Sequence, residues 1–518
     1  MDERKLEIIV HVTDENFFAR LAASLENVNV PKDFSVEVQP VTGDERFFAY
    51  ETARLSSDAK YKIYIDERAT VTNENFLSEL LKVFSDEQIG LVGTSGAIQL
   101  STHGISLNSF KRTDGNFSGE VDVVDGFFVA TQHDLPWRTD LFADNFFGAQ
   151  AQCVEFKRAG FKVFVPRQSR PWISVDGEAI QLDEAARQKF LDEYSADLFP
   201  LVSVIIPTFN RPKYFREALD SELNQTYRNI EVFVSDNSTD DATENLIRTY
   251  DDTRIKYFRH RDFNASDNWN FARSHNNPKA EFVNWLMDDD KFYPPKIERM
   301  VEVMRRHPDV SLVTSVRHVI DADGKVTDTM PGTLDKNFFQ PGEVAGRNIL
   351  FEGKNDIGEP TTPLIRKSCL RDGDLCRTAD ERGFFPLIDV STWLQVLSRG
   401  NLIWLAEPLS AFRFHEQQAS NWEQVGSVFS ICWAHFLQTE WSKKFFLRTD
   451  DDFRRALLRT IAGTTVRLLK AQELNYRDEN IIELEKVLAA LAAALTNGYK
   501  LDLPPLKYFT RDDKKVFC

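Results

Sequence analysis

Cysteine is scarce in this chain, with five in 518 residues: Cys153, Cys369, Cys376, Cys432 and Cys518. They lack the paired spacing of a zinc or redox motif, and the odd count argues against a disulfide framework, so a reducing compartment is expected. Long apolar runs are also missing. None approaches the roughly 20 residues that span a bilayer, and the opening "MDERKLEIIVHV" is charged at once, without the apolar core of a signal peptide. The expectation is a soluble cytoplasmic protein with no transmembrane segment, for which peripheral contact with the inner face of the plasma membrane stays open. Positive charge is in deficit: 63 Lys and Arg against 80 Asp and Glu give a net charge of -17. With no basic block, a long nucleic-acid contact is not expected. An anionic ligand would need a local cationic site or a metal ion.

What is present fits an ordinary globular composition, 42% hydrophobic and 28% charged, in a chain too long for one core. From Leu201 onward, short apolar strands alternate with amphipathic helices, the pattern of a mostly parallel sheet covered by helices. The strands are "VSVIIPTF" (202 to 209), "IEVFVSD" (230 to 236), "IKYFRH" (255 to 260) and "EFVNWLM" (281 to 287). Ligands of such sheets sit beyond the carboxyl ends of strands. Here those ends carry Thr208 to Arg211, Asp236 with Asn237, and Asp288 to Asp290. After about Gln424 the strands stop, and Ile481, Leu484, Leu488, Leu491 and Leu495 form a stripe at helical spacing. A helical tail packed on the preceding domain is expected.

The chain also repeats itself. "YKIYIDERATVTNENFLSELLKVF" followed by "IGLVGTSG" mirrors "VNWLMDDDKFYPPKIERMVEVM" followed by "VSLVTSVRHV". Asp66 precedes Leu91 by 25 positions and Asp288 precedes Leu312 by 24. "EFKRAGFKVFVP" likewise mirrors "LQVLSRGNLIWLAEP". The expected layout is two copies of one α/β fold at 1–180 and 200–424, a helical, acidic linker at 181–199 and a helical region at 425–518.

Asp288, Asp289 and Asp290 end an apolar strand side by side. Crowded carboxylates raise one another's pKa and repel, an arrangement that is costly unless a cation sits among them. A metal ion is the candidate. The plain structural explanation is a solvated turn that caps the following helix.

Over roughly residues 200 to 420 the second half resembles the family 2 glycosyltransferases of the GT-A fold. The stretches that carry the resemblance are "VSVIIPTFNRPKYFREALDSELNQTYRNIEVFVSDNSTDD", "NWLMDDDKFYPP", "LIDVSTWLQVLSRG" and "LSAFRFHEQQAS". The resemblance implies a GT-A-like, Rossmann-like fold and transfer of a sugar, with inversion, from a nucleotide diphosphate donor to an acceptor hydroxyl. A UDP-sugar is the first expectation for the donor, and a glycan, glycolipid or glycoprotein for the acceptor. It implies Mn2+ or Mg2+ held by Asp288, Asp290 and His415, with Asp289 or Asp288 nearer the ribose. Asp389 takes the position of the general base. Pro207, Thr208, Asn210, Arg211, Asp236, Asn237 and Asn268 fall where the family contacts the donor; Asn237 replaces a second aspartate.

The chemistry calls for these residue types on its own terms. A leaving diphosphate gathers negative charge that a divalent cation stabilises. An attacking hydroxyl needs one base on the opposite face.

The first half resembles a bacterial group of GT-A-like domains through "VVDGFFVATQHDLPWRTDLF" and "EFKRAGFKVFVPRQSRPW". Acidic and histidine positions of that group are Ala149 and Val175 here, and "DER" replaces "DDD", leaving Asp66 and Glu67 as a vestigial site beside Arg68. A catalytically silent copy is expected, retained for acceptor positioning, oligomerisation or rigidity. Two alternatives stand beside it: two active transferase domains in one chain, or a non-catalytic nucleotide-sugar or glycan-binding scaffold.

Overall fold

The strand Leu201–Thr208 is buried at every position but its first, which is why it reads as an unbroken apolar run rather than an alternating one. It lies inside a sheet ordered Ile255–Arg259, Ile230–Asp236, Leu201–Thr208, Ala280–Trp285, Leu364–Arg366, Val310–Ile320, Asn401–Arg413, Lys291–Phe292. The first four strands are parallel. Leu364–Arg366 is antiparallel to both neighbours, Val310–Ile320 pairs in parallel with Asn401–Arg413, and Lys291–Phe292 closes the edge antiparallel. The computed structural model describes residues 1–98, 100, 117–143, 147–175, 183–370, 387–415 and 422–504. Cys376, Cys518 and His103 lie outside them.

The chain divides into two units, Met1–Phe199 and Pro200–Cys518. The sheet of the first runs Ser35–Val41, Asp2–His11, Ala59–Ile65, Phe128–Thr131, Ile89–Gly93, Lys162–Val165, Gly119–Glu120. Its pairings are parallel, parallel, antiparallel, antiparallel, parallel, antiparallel. From Ile230–Asp236 onward the second sheet has the same senses and, for six strands, the same order; the edge strand differs, because Lys291–Phe292 precedes Val310–Ile320 in the chain whereas Gly119–Glu120 follows Ile89–Gly93. The internal repeat is therefore a repeat of topology, and both units are mixed α/β folds with parallel-rich sheets.

Within the segment 181–199, the helix Glu184–Leu198 belongs to the first unit, capped by Asp183, whose side chain accepts from the Ala185 N–H. Phe190 and Tyr194 are buried, and the Phe190 ring lies 5.1 Å from that of Phe147. Arg138 bridges Glu155 and Glu193 at 2.9 and 3.3 Å, which ties this helix to Phe147–Arg158.

Three helices, Trp422–Lys443, Asp450–Glu473 and Glu479–Ala494, end the described part of the second unit. Ile431, Phe436, Phe453, Leu457, Leu484 and Leu491 share one core with Trp393, Leu394 and Leu397. Ile481, Leu484, Val487, Leu491 and Ala494 form the buried stripe of the last helix, while Leu495 is exposed. The helical region thus completes the sheet domain's interior. Leu484→Ala is expected to destabilise the second unit by about 2–5 kcal/mol, because it deletes a fully buried side chain from that shared core. Urea unfolding checks this, and an unchanged midpoint would mean that the helix packs loosely.

Candidate active site

Leu286 donates to Ile205 O and Met287 to Thr361 Oγ1, so the strand Ala280–Trp285 is held to its end before the chain turns. Side chains alternate along this tip. Asp288 and Asp290 point inward, 5% and 1% exposed, and Asp289 points out to a partly open position. Asp288 accepts from Thr208 Oγ1 (2.9 Å), the Phe209 N–H (3.2 Å) and Arg211 (3.3 Å). Asp290 accepts from Thr361 Oγ1 (2.5 Å) and the Arg413 N–H (2.9 Å). Burial, reinforced by the charge of Asp289, holds both inward carboxyls above the ordinary range.

Asp289 Oδ2 meets Arg211 at 2.8 Å and His415 Nε2 at 3.0 Å. The structure therefore brings His415 to Asp289, whereas the sequence reading grouped it with Asp288 and Asp290. The inward carboxylates already have protein donors on their oxygens. Among the described residues no group of three or more His, Cys, Asp or Glu side chains could hold a metal ion. Asp289 and His415, 3.0 Å apart, are the pair that could hold a cation there. Small divalent cations are commonly held by one or two carboxylates, with the substrate's phosphates and water completing the shell, and the pair fits that habit.

The expected donor-binding residues gather at the same sheet edge, yet several are already bonded to neighbouring protein groups. Asp236, fully buried, accepts from the Ser238 N–H (2.7 Å) and the Tyr257 hydroxyl (2.6 Å). Asn268 accepts from Ser235 Oγ (2.5 Å) and donates to Ser235 O (3.1 Å). Pro207 and Thr208 are buried, and Asn237 donates to Phe263 O at 3.1 Å. Asn210 is exposed at a left-handed φ of 52°, where its side chain accepts from the Thr239 N–H at 2.9 Å. Asn210, Arg211 and Asp289 are the members that reach open surface.

Asp389 is the second residue of the helix Ile388–Leu397, whose Val390, Trp393, Val396 and Leu397 are buried. Its Oδ2 accepts from Asn355 Nδ2 at 2.7 Å. Burial pushes this carboxyl up to about 7, with the Glu359 charge adding to the shift and the Asn355 bond opposing it. A carboxyl raised to that value changes protonation near neutral pH.

One loop, residues 355–362, links the two acidic places. At one end Asn355 holds Asp389, and at the other Thr361 holds Asp290. Between them Gly358 O accepts from Asn355 (2.9 Å) and from the Trp393 indole (3.1 Å), and the Thr362 N–H donates to Glu359 O (2.8 Å). Arg413, 1% exposed, clamps the tip from the other side through Asp289 O (2.8 Å), Asp321 O and Ala322 O (3.1 Å each) and Glu217 (2.6 Å). From the sequence, "EGKNDIGEPTTP", which holds Asn355, Glu359 and Thr361, reads as a loop on which specificity depends, but its shape and the part of each residue do not follow, and Arg413 receives no role. The only signals were the turn-forming "NDIG" and the position of Arg413 two residues before His415.

In the first unit the equivalent tip is closed. Asp66 is gripped by Arg68 (2.8 Å) and Arg46 (3.1 Å); burial acts to raise its pKa, but the two guanidinium groups outweigh this and hold it below the usual range. Glu67 accepts the N–H groups of Thr13 (2.8 Å) and Asp14 (3.0 Å). Ala149 is the third residue of its helix, as Asp389 is the second of the corresponding one, and it is 1% exposed. Val175 ends a short strand paired with Ala69–Val71. His133 stacks on Phe161 at 4.0 Å.

Residues 203–369 match the glycosyl transferase family 2 model. The second half carries a family 2 glycosyl transferase domain. Asp389 and His415 lie beyond the matched residues. Residues 7–117 and 108–194 match a second model, the glycosyltransferase-like family. An uncharacterized glycosyltransferase of Rickettsia typhi is 40% identical over 107 residues, 21% of this chain and 33% of the relative. A GalNAc(5)-diNAcBac-PP-undecaprenol beta-1,3-glucosyltransferase of Campylobacter jejuni is 33% identical over 105 residues, 20% of this chain and 34% of that one. The chain thus spans about a third of the length of these two relatives. Among solved structures, residues 1–349 of S. aureus TarS in complex with UDP-GlcNAc align at 15% identity and a TM-score of 0.35, over 58% of this chain and 89% of that one. No helix of the described residues is long and apolar enough to cross a membrane.

Gly358 sits at φ 117°, and a Cβ there would lie 2.6 Å from Thr362 Oγ1. Gly358→Ala is therefore expected to strain the loop by roughly 1–3 kcal/mol. The variant should melt at a lower temperature than Gly463→Ala, an open helical position, serving as control.

Proposed function

We propose that the second unit transfers a sugar from a nucleotide diphosphate donor, a UDP-sugar first, to a hydroxyl of a glycan, glycolipid or glycoprotein, with inversion at the anomeric carbon. The observation that carries this reading is a carboxylate with a pKa near neutrality, Asp389, joined by one loop to an acidic strand tip at the sheet's ligand-binding edge. A divalent cation, Mn2+ or Mg2+, would be held by Asp289 and His415 and would neutralise charge developing on the departing diphosphate. Arg211, on the same Asp289 oxygen, adds a fixed positive charge to that end of the cleft. Asp288 and Asp290 act as the frame that aims Asp289 outward.

At the other end Asp389 Oδ2, oriented by Asn355, receives the proton of the attacking hydroxyl. The buried helix behind Asp389 keeps it from swinging away. The first unit supports no such sequence of events: it has Ala149 at the base position, and its strand-tip Asp66 is already neutralised by two arginines. We read it as a silent copy.

Asp389→Asn is expected to lower kcat by about 10²–10⁴-fold while nucleotide affinity is kept. Comparable turnover would refute the assignment. Because the raised pKa belongs to the group that must be ionised, wild-type kcat should climb with pH through about 7 and level off above it. The same shift costs stability as pH rises from the unfolded carboxyl value toward 7, so the Asn variant should melt no lower than wild type at pH 8.

Removal of divalent metal with a chelator, or His415→Ala, is expected to weaken UDP binding by at least about tenfold in calorimetric titration. Equal affinity with and without Mn2+ would remove the cation from the mechanism.

A further inference from the structure

The loop that spans the acidic tip and the base carries two charged side chains that neither role uses: Asp356, paired with Lys354 at 3.1 Å on the surface, and Glu359. Glu359 stands between Asn355, which holds Asp389, and Thr361, which holds Asp290. Its charge acts on both Asp290 and Asp389. Its carboxylate is ion-paired with Arg317, through Nε at 2.5 Å and an NH2 bond of 3.2 Å, and Thr362 Oγ1 lies 3.5 Å from Oε2. Arg317 is a guanidinium with a 1% exposed side chain on the inner strand Val310–Ile320, whereas Glu359 keeps 23% of its side-chain surface open. A carboxylate offers about four acceptor positions, and the ion pair leaves some of them facing outward. Its orientation is fixed from behind by a buried cation and from below by the turn at Gly358.

An inverting displacement lines up the base, the anomeric carbon and the leaving phosphate oxygen. If the base end is Asp389 and the leaving-group end is Asp289 with His415, the sugar ring occupies the interval that the loop 355–362 bridges. We propose that Glu359 is a specificity-determining residue that accepts hydrogen bonds from hydroxyls of the transferred sugar, with Arg317 as the buried counter-ion that positions it. This inference rests on the transferase reading above. It assigns the substrate class of that interval: a ring with at least one free equatorial or axial hydroxyl directed at an anionic acceptor, which a deoxygenated or O-methylated sugar would not satisfy.

The test measures the affinity of UDP and GDP and of UDP-glucose, UDP-galactose, UDP-N-acetylglucosamine and GDP-mannose, with Mn2+, by calorimetric titration. Three proteins are compared: wild type, Glu359→Gln, and the double variant Glu359→Gln with Arg317→Met, which avoids leaving a buried guanidinium unpaired. Nucleotide affinity should stay within about twofold in all three, reporting an intact fold and donor pocket. The ratio of nucleotide-sugar to nucleotide affinity should fall about 10–100-fold in both variants, the usual effect of losing a hydrogen bond to a charged group. An unchanged ratio, or equal losses for nucleotide and nucleotide-sugar, overturns the assignment of Glu359 while leaving the transferase reading in place. Failure of the wild type to bind any nucleotide or nucleotide-sugar overturns both.

Discussion

Placing Asp288, Asp289 and Asp290 at the end of a buried strand creates a demand for donors that the strand cannot meet, because its own N–H groups are committed to the sheet. The demand is met from far along the chain. Thr208 reaches Asp288 across 80 positions, Thr361 reaches Asp290 across 71, and the Arg413 N–H reaches the same carboxylate across 123. Each of those contacts fixes a different segment: the end of the first strand, the loop before Leu364–Arg366, and the last strand. His415 follows Arg413 by two residues, so the clamp that holds the acidic tip also delivers the histidine to it. The geometry of the site is thus a consequence of hydrogen-bonding buried charge.

The position of Asp389 depends on a second constraint, packing. Its helix presents Val390, Trp393, Val396 and Leu397 to a core built jointly by the sheet and the three C-terminal helices. Trp393 then bonds Gly358 O through its indole N–H, so the same helix that carries the carboxylate also pins the loop that orients it. Burial on this scale is what strips water from the carboxyl and raises its pKa. Hydrophobic packing behind the helix therefore sets the protonation of the carboxyl it carries.

The strands at Leu201–Thr208, Ile230–Asp236 and Ala280–Trp285 were legible in the sequence because parallel strands covered on both faces are continuous apolar runs. The repeat was legible because matched spacings, such as 25 and 24 positions from tip to next strand, survive when residue identities do not. Orientation at the tip was not. Three identical residues carry no pattern from which to tell inward from outward, and the phase that turns Asp289 out is set by where the strand's pleat ends. Asp236 is a donor contact by resemblance, and its bond from Tyr257, 21 residues later, was not legible beside it. The roles of Asn355, Glu359 and Thr361 depend on where a loop lands, and local sequence specifies its turn without specifying its destination.

The two units give opposite answers to one electrostatic question on the same sheet topology. In the first, Asp66 at the strand tip is paired with Arg46 and Arg68, which hold its pKa below the ordinary range against the effect of burial. In the second, Arg211 sits between Asp288 and Asp289, and the inward pair stays less acidic than ordinary carboxylates. A site whose charge is internally balanced has nothing to gain from an incoming cation, because binding would first have to displace a bidentate guanidinium. In the second unit one Arg211 nitrogen is divided between Asp288 at 3.3 Å and Asp289 at 2.8 Å, so a cation at Asp289 would meet a guanidinium already there. One topology thus carries a strand-tip carboxylate held by two arginines in the first unit and an arginine shared by two carboxylates in the second.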